Sequence, residues 1–450
     1  MDDADTTPLP VVPGRGRHAR REPDHSRPRA VHTGHVTGLG DISELDGPNQ
    51  PPPGHGHGHG HGHGPPPPVS GRVNRLLLAL IAPFALASLL GVILLWPDGD
   101  TGVTAATAQP VQGTVVGTVE ASCQAGAQVG EVQQGQADCL AVSVRMSDGP
   151  APDTEITTTV PVEPATPRFA VGDEVVLAYA GGDPAEGQSY SLVDFQRGTP
   201  MLLLAVLFAL TVLTLGRFQG LKALLALALS FVTLLLFVLP AVVAGQNPLL
   251  VAIAGAGVIM FVVLYLTHGV HARTSTAVLG TMVSLALIGA LGIAFTAFTR
   301  LTGLDEDTSL LVATLGRGID TRGLLLAGVI IGALGVLDDV TVTQASAVWE
   351  LRRANPSLSA AGLYAAALRI GRDHVASAVN TLVMAYAGAA LPVLLYSSIS
   401  GVGLGGILTS QSIAQEVVRT LVGSIGLVAA VPVTTAIAAA VAVREPVDTP

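Results

Sequence analysis

Charged residues are scarce in this sequence of 450 residues: they make up 12% of the chain, and lysine occurs once, at Lys222. A soluble protein carries about 25% charged residues, so the composition excludes an ordinary cytosolic enzyme. A basic patch for nucleic acid is also absent, and nucleic acid is not expected as a partner. Because 49% of the residues are hydrophobic, the sequence predicts a mainly α-helical protein that crosses the lipid bilayer several times.

The recognisable motifs of catalysis and nucleotide binding are lacking too. The sequence has no Gly-x-Ser-x-Gly, His-Glu-x-x-His or Cys-x-x-Cys motif. Its glycine-rich stretches at 332–335, 401–406 and 423–426 are without the Lys-Ser/Thr pair of a P-loop. Small residues of this kind let membrane helices pack closely. We therefore expect neither an enzyme nor a bound cofactor.

Residues 1–74 offer too little apolar surface to offset the entropy of the chain, so a disordered cytoplasmic tail is predicted. The tail contains an alternating His-Gly tract between two runs of proline. Imidazole groups at this density can bind Zn, Ni or Cu ions. A low-complexity repeat without a metal is the interpretation that we favour. The histidines of the tract are His55, His57, His59, His61 and His63.

An apolar run of 21 residues, Leu76–Trp96, predicts a first transmembrane helix within 75–97, because about 20 residues span the hydrocarbon core. Arg72 and Arg75 precede this run and place its N-terminal end in the cytoplasm. The alternative is a signal peptide that is cleaved near 106–108. The long polar leader that precedes the run argues against that alternative.

Residues 98–198 are predicted to form a small β domain outside the membrane. Segments such as 111–119 and 139–146 alternate apolar and polar residues and are separated by Gly, Pro and Asp. The domain is acidic, with 14 acidic residues against three arginines. Cys123 and Cys139 are the only cysteines of the chain. In an exported domain we expect them to form a disulfide, with two buried free thiols as the alternative.

Residues 199–444 are predicted to form a membrane domain of seven further helices, followed by a short tail at 445–450. The basic residues fall in alternate loops, which are all cytoplasmic if the N-terminus is cytoplasmic. Arg419 is the exception, and Glu416 could pair with it. The sequence thus predicts about eight spans with both termini in the cytoplasm. The predicted spans are 76–96, 200–216, 221–244, 248–268, 275–298, 323–342, 375–399 and 417–443.

Polar side chains inside the predicted spans are candidates for a functional site, because they are costly at membrane depth. Asp338 and Asp339 lie in the cytoplasmic third of one span. They are about 100° apart on a helix, so only one can face the next span, and Asp338 is the stronger candidate. Asn380 and Thr381 reach a similar depth. The alternatives are that both acids lie at the wet interface, and that Asn380 and Thr381 only join helices by hydrogen bonds.

Three sequence blocks resemble those of the YibE/F-like family of multi-pass bacterial membrane proteins. The blocks are GALGVLDDVTVTQASAVWEL (332–351), GRDHVASAVNTLVMAYAGAALPVLL (371–395) and EVVRTLVGSIGLVAAVPVT (416–434), and 190–224 resembles the start of that family's membrane domain. The resemblance implies the architecture and a bacterial plasma membrane location, without an assigned activity. Where the family pattern has a single Asp after the small residues, this chain has two. The layout of the polar spans also resembles that of SecF-type permeases, by analogy alone.

The functional expectation is a membrane protein that moves a small solute or ion, with Asp338, Asp339, Asn380 and Thr381 as its polar transport site. The alternative is a scaffold that does not transport and whose acidic outer domain binds an envelope partner. A homo-oligomer is compatible with either interpretation.

Reporter fusions test the predicted topology. Fusions after Pro97 and after Leu304 should report the outside, and fusions after Arg273 and after Arg353 should report the cytoplasm, because basic loops stay inside. A reversed signal at either cytoplasmic position would contradict the eight-span arrangement.

Overall fold

The computed structural model describes residues 71–97, 108–123, 139–164, 166–315, 318–399, 401 and 403–445. About 70% of these residues are helical. The helices are α1 Gly71–Leu94, α2 Gly198–Thr233, α3 Leu239–Val243, α4 Pro248–His268, α5 Ala272–Phe298, α6 Glu306–Leu315, α7 Thr321–Ala354, α8 Ala360–Ala389, α9 Leu391–Ile399, α10 Leu404–Thr409 and α11 Gln411–Ala442. The strands are β1 Gln109–Ala121, β2 Cys139–Met146, β3 Glu155–Pro161, β4 Glu174–Tyr179 and β5 Tyr190–Phe195.

Six helices of the described residues are long and apolar enough to cross a membrane. They are α1, the continuous stretch Gly198–Val243, α4, α5, α7 and α11. The predicted number of eight spans is therefore not confirmed. The stretch that the sequence divides into two spans counts once here, and the predicted span at 375–399 is not among the six.

The predicted tail also ends earlier than expected, since α1 begins at Gly71, and the rest of the tail lies outside the described residues.

The stretch Gly198–Val243 changes direction at Arg217. Arg217 has a φ of 49° and a ψ of −124°, which is not a helical conformation. The Gly220 Cα packs directly against the backbone carbonyl of Val212. In a straight helix these two residues would be about 12 Å apart along the axis. The chain therefore folds back on itself at the loop that the sequence predicts between 216 and 221.

The predicted span at 375–399 is replaced by two helices. α8 begins at Ala360, where the Ser359 hydroxyl accepts a hydrogen bond from the Gly362 N–H at 3.2 Å. The helix ends at Ala389, and α9 begins at Leu391. Pro392 explains the break, because its ring lacks an N–H and collides with the preceding helical turn.

The five described strands form one antiparallel curled sheet in the order β3-β2-β1-β4-β5. Its inner face buries alternate apolar side chains, among them Val115, Val144 and Leu177. The two edge strands lie close together, as a hydrogen bond shows: the Thr158 hydroxyl on β3 donates to the Tyr190 carbonyl oxygen on β5 at 3.3 Å. After β5, the hydrogen-bonded Arg197 guanidinium lowers the pKa of Asp194, with help from the Phe195 N–H.

The ends of α7 and α11 are joined by one polar contact. The Trp349 indole N–H donates to Glu445 Oε2 at 2.8 Å, 96 residues later in the chain. Burial raises the pKa of Glu445, and the indole hydrogen bond opposes this effect only in part. Trp349 also belongs to a large apolar cluster at this end of the bundle, together with residues of α1, α4, α5, α8 and α11.

Glycine allows α5 and α11 to pack closely at two levels. On α5, Gly280 lies against the Thr434 side chain, and on α11, Gly426 lies against the Ile288 side chain. A methyl group at either glycine would occupy the space of its neighbour. Such small residues are the usual contacts between membrane helices, since dispersion forces and close packing drive their association.

Gly280→Ala should destabilise the bundle by about 1–3 kcal/mol, because the new methyl group overlaps Thr434. Gly289→Ala on the same helix is the matched control. Its nearest neighbour, Ile330 Cδ1, is 4.0 Å from the new atom, so stability should be unchanged. Thermal unfolding in detergent measures both variants. Adding Thr434→Ala to Gly280→Ala should restore part of the loss, and equal stability of the two glycine variants would contradict this packing.

Candidate functional site

A polar seam, defined by Thr281 and Ser284 of α5, Asp338 and Thr341 of α7, and Thr434 of α11, lies inside the bundle. All five residues are buried, and Asp338 is only 8% exposed. They sit where α5, α7 and α11 pack against one another. Polar side chains are costly in contact with lipid, and enclosure between these three helices keeps the five residues away from it.

Asp338 is the ionisable member of the polar seam. The Thr281 side chain lies beside its carboxyl group. The Thr281 and Thr341 hydroxyl oxygens are 2.8 Å apart, and either can be the donor. Asp338 Oδ1 has no hydrogen-bond partner among the described residues. A buried oxygen atom without a partner is unusual in a folded protein and calls for a physical explanation, such as a bound ion, a water molecule or a proton.

Helical spacing places these side chains on a common face. Asp338, Thr341 and Gln344 recur every three residues on α7, so each is a neighbour of the next on the helix surface, and all three are buried. Gln344 donates through Nε2 to the Ala367 carbonyl oxygen at 2.8 Å, which links α7 to α8. On α5, Thr281 and Ser284 have the same spacing and are both buried.

Asp339 lies on a different face of α7 and is exposed. Gly332 and Gly335 precede it at helical spacing and are exposed as well. The two acids therefore differ in their surroundings, with Asp338 turned into the bundle and Asp339 turned away from it.

The structure does not bring Asn380 and Thr381 to Asp338, contrary to the sequence prediction. Both side chains are exposed, and the Thr381 hydroxyl donates to the Ser377 carbonyl oxygen at 3.0 Å. The phase of α8 explains this, because its buried face includes Gly371, which packs against Gln344. Asn380 comes nine residues later, about two and a half turns, and is thus on the opposite side.

A second polar group lies nearer the Thr321 end of α7. Arg419 and Glu416 of α11 form an ion pair at 2.6 Å, and both side chains are partly buried. The Arg419 guanidinium is 3.5 Å from the place that a Cβ atom would take at Gly328. The Tyr386 hydroxyl of α8 is likewise 2.8 Å from such a position at Gly332. The glycines of α7 thus leave room for two large polar side chains.

The remaining predicted site residues lie elsewhere. Cys123 and Cys139 form a disulfide with a Cα–Cα distance of 5.1 Å, at the start of β2. The tract His55, His57, His59, His61 and His63 lies outside the described residues. Within the part of the chain that the structure does describe, no group of three or more His, Cys, Asp or Glu residues could hold a metal ion.

Thr281, Ser284 and Thr434 are not among the site residues predicted from the sequence. A signal was present on α5, where Thr274, Thr281 and Ser284 form a polar stripe at helical spacing on a mostly apolar helix. Thr434 gives no such signal. It is recognised only through its contact with Gly280.

Six membrane-length helices in the described part of the chain, with a polar seam inside their bundle, define a multi-pass membrane protein. The chain belongs to the YibE/F-like family: the family described as "YibE/F-like protein" matches residues 204–444, more than half of the sequence. The match covers every residue of the polar seam. No curated protein and no solved structure matches the chain significantly.

Replacing one partner of the Arg419–Glu416 ion pair should lower the stability of the protein more than replacing both partners. Arg419→Gln or Glu416→Gln alone leaves one partly buried charge without its partner, and each should lower stability by about 1–3 kcal/mol. The double variant should recover most of this loss. Thermal unfolding of all four proteins in detergent gives the coupling, and strictly additive effects would show that the pair contributes nothing.

Proposed function

We propose that this protein is a transporter of a small solute or ion in the bacterial plasma membrane, and that Asp338 binds the proton or cation that is moved. The observation that supports this proposal is the buried Asp338 carboxyl group, which has one oxygen atom without a partner among the described residues. Ionisable groups inside membrane bundles commonly mark ion pathways and proton relays.

The neighbouring hydroxyl groups suit a carboxyl group that gains and loses a positive charge. Threonine can donate one hydrogen bond and accept two. When Asp338 is ionised, Thr281 can donate to it and receive a hydrogen bond from Thr341. When the charge is neutralised, Thr281 can instead direct its proton to the Ala277 carbonyl oxygen, which is 3.1 Å away. Rotation of the hydroxyl groups is therefore enough for the polar seam to hydrogen-bond with Asp338 when it is ionised and to release it when its charge is neutralised.

We propose that the substrate approaches along the exposed face of α7, which adjoins the buried Asp338 face about 100° around the helix. Gly332 and Gly335 lie on this exposed face and carry no side chain. At one end of this route, Arg419 and Tyr386 pack over Gly328 and Gly332. We propose that these two side chains close the approach on the outer side.

The proposed topology has eight spans and two cytoplasmic termini. It counts Gly198–Val243 as two spans, because of the reversal at Arg217, and α8 with α9 as one span. The curled sheet and its disulfide then lie outside, where an oxidising environment favours the disulfide. The proposed activity needs no enzyme chemistry and no cofactor.

Asp338→Asn tests the proposal, with Asp339→Asn as the matched control. A knockout strain is complemented with each variant at equal membrane levels, and its cellular ions and metabolites are profiled. Asp338→Asn should leave the profile at the level of the empty vector, because an amide cannot bind a proton or carry a charge. Asp339→Asn should restore the wild-type profile. Equal restoration by both variants would rule out Asp338 as the transport site.

The second candidate function is a scaffold whose outer domain binds an envelope partner. A polar cavity of about 390 Å³ between the sheet and the start of α2 favours it, lined in part by Gln112, Ser147, Glu174 and Thr199. Deleting 111–195 separates the two functions. If the complemented profile survives the deletion, the scaffold is excluded. If it is lost while Asp338→Asn restores it, the transporter is excluded.

A further inference from the structure

A cleft of about 270 Å³ separates α8 from α11. Three residues from each helix line it, at spacings that place them on one helical face. Five of the six are apolar, and the sixth is an arginine. The lining residues are Leu368, Arg372 and Val375 of α8 and Val428, Val431 and Pro432 of α11.

A proline of α11 and a glycine of α8 determine the shape of this cleft. Pro432 has no N–H, so the Val428 carbonyl group lacks its usual helical partner, and the proline ring forms part of the wall. Beside the cleft, Gly371 packs against Val431 and Gln344, so α8 and α11 are in contact there. The cleft is therefore a gap beside a tight contact, next to the apolar cluster around Val340 and Leu427.

Two arginines mark the cleft as a site for a negative charge. Arg372 lines it, and Arg369 lies one turn earlier on α8. Both are exposed, and neither makes an ion pair or a hydrogen bond within the described part of the chain. Asp373 is exposed beside them and pairs with neither. In contrast, Arg353 of α7 pairs with Glu350, and Arg444 donates to the Ala440 carbonyl oxygen.

We propose that this cleft binds an anionic phospholipid, with its acyl chain between α8 and α11 and its phosphate group on Arg372 and Arg369. Basic pockets between transmembrane helices on the cytoplasmic side bind anionic headgroups, because that leaflet carries negative charge. The five apolar side chains supply the surface that an acyl chain covers. A free phosphate ion would leave this surface exposed. The proposal does not depend on transport.

Native mass spectrometry of the full-length protein, released from nanodiscs that contain equal amounts of phosphatidylglycerol and phosphatidylcholine, tests the site. Wild-type protein should retain phosphatidylglycerol in preference to phosphatidylcholine. The double variant Arg369→Gln/Arg372→Gln should lose about 25-fold in this preference, at about fivefold for each basic residue. The matched control is Arg353→Gln/Arg444→Gln, which removes two charges from the same end of the bundle and should retain the wild-type preference.

A second variant tests the apolar part of the cleft. Val428→Phe should fill it and reduce retention of both lipids while leaving the melting temperature unchanged, since Val428 is exposed at 46%. Equal lipid retention by wild-type protein and Arg369→Gln/Arg372→Gln would overturn the proposal. So would competition by glycerol 3-phosphate, which has no acyl chain. A lipid-free dimer that Val428→Phe dissociates would identify a second copy of the chain as the occupant instead.

Discussion

The close contact between α5 and α11 is the constraint on which the interior of the bundle depends. Gly280 and Gly426 each leave space for a side chain of the other helix, so the two helices approach without a layer of large residues between them. α7 packs against both helices, and its Asp338 face is thereby enclosed. Lipid offers no hydrogen bonds, so hydroxyl and carboxyl groups persist at this depth only because three helices shield them.

Much of the helical architecture could be predicted, because apolar length and local end signals coincide. The predicted span 248–268 equals α4, since the Asn247 side chain accepts from the Leu250 N–H, Pro248 opens the helix and Gly269 ends it with a φ of 77°. α7 is less predictable, because it continues in polar sequence to Ala354, well past the predicted end at 342. A hydropathy pattern indicates which part of a helix lies in lipid, but it does not indicate the residue at which the helix ends.

The sequence could indicate that Asp338 is buried, but it could not indicate which residues surround it. A carboxylate in an apolar run is visible in the sequence, and its spacing to Thr341 indicates the face. Whether Asn380 reaches that face depends on the rotation of α8, whose Gly371 packs against Gln344. That contact joins residues far apart in sequence, so no local pattern could place Asn380 on the far side. Thr434 could not be predicted for the same reason, because its contact with Gly280 also joins distant parts of the sequence.

The link from Trp349 to Glu445 has a consequence for how the bundle is assembled. During synthesis, α5 and α7 emerge long before α11, and 95 residues lie between the two ends of this link. Until α11 inserts, the groove that will hold Thr434 is open, and Asp338 lacks one wall of its enclosure. The acid of α7 is therefore fully enclosed only when α11 packs against both α5 and α7, and the hydrogen bond from Trp349 to Glu445 joins α7 to the far end of that last helix.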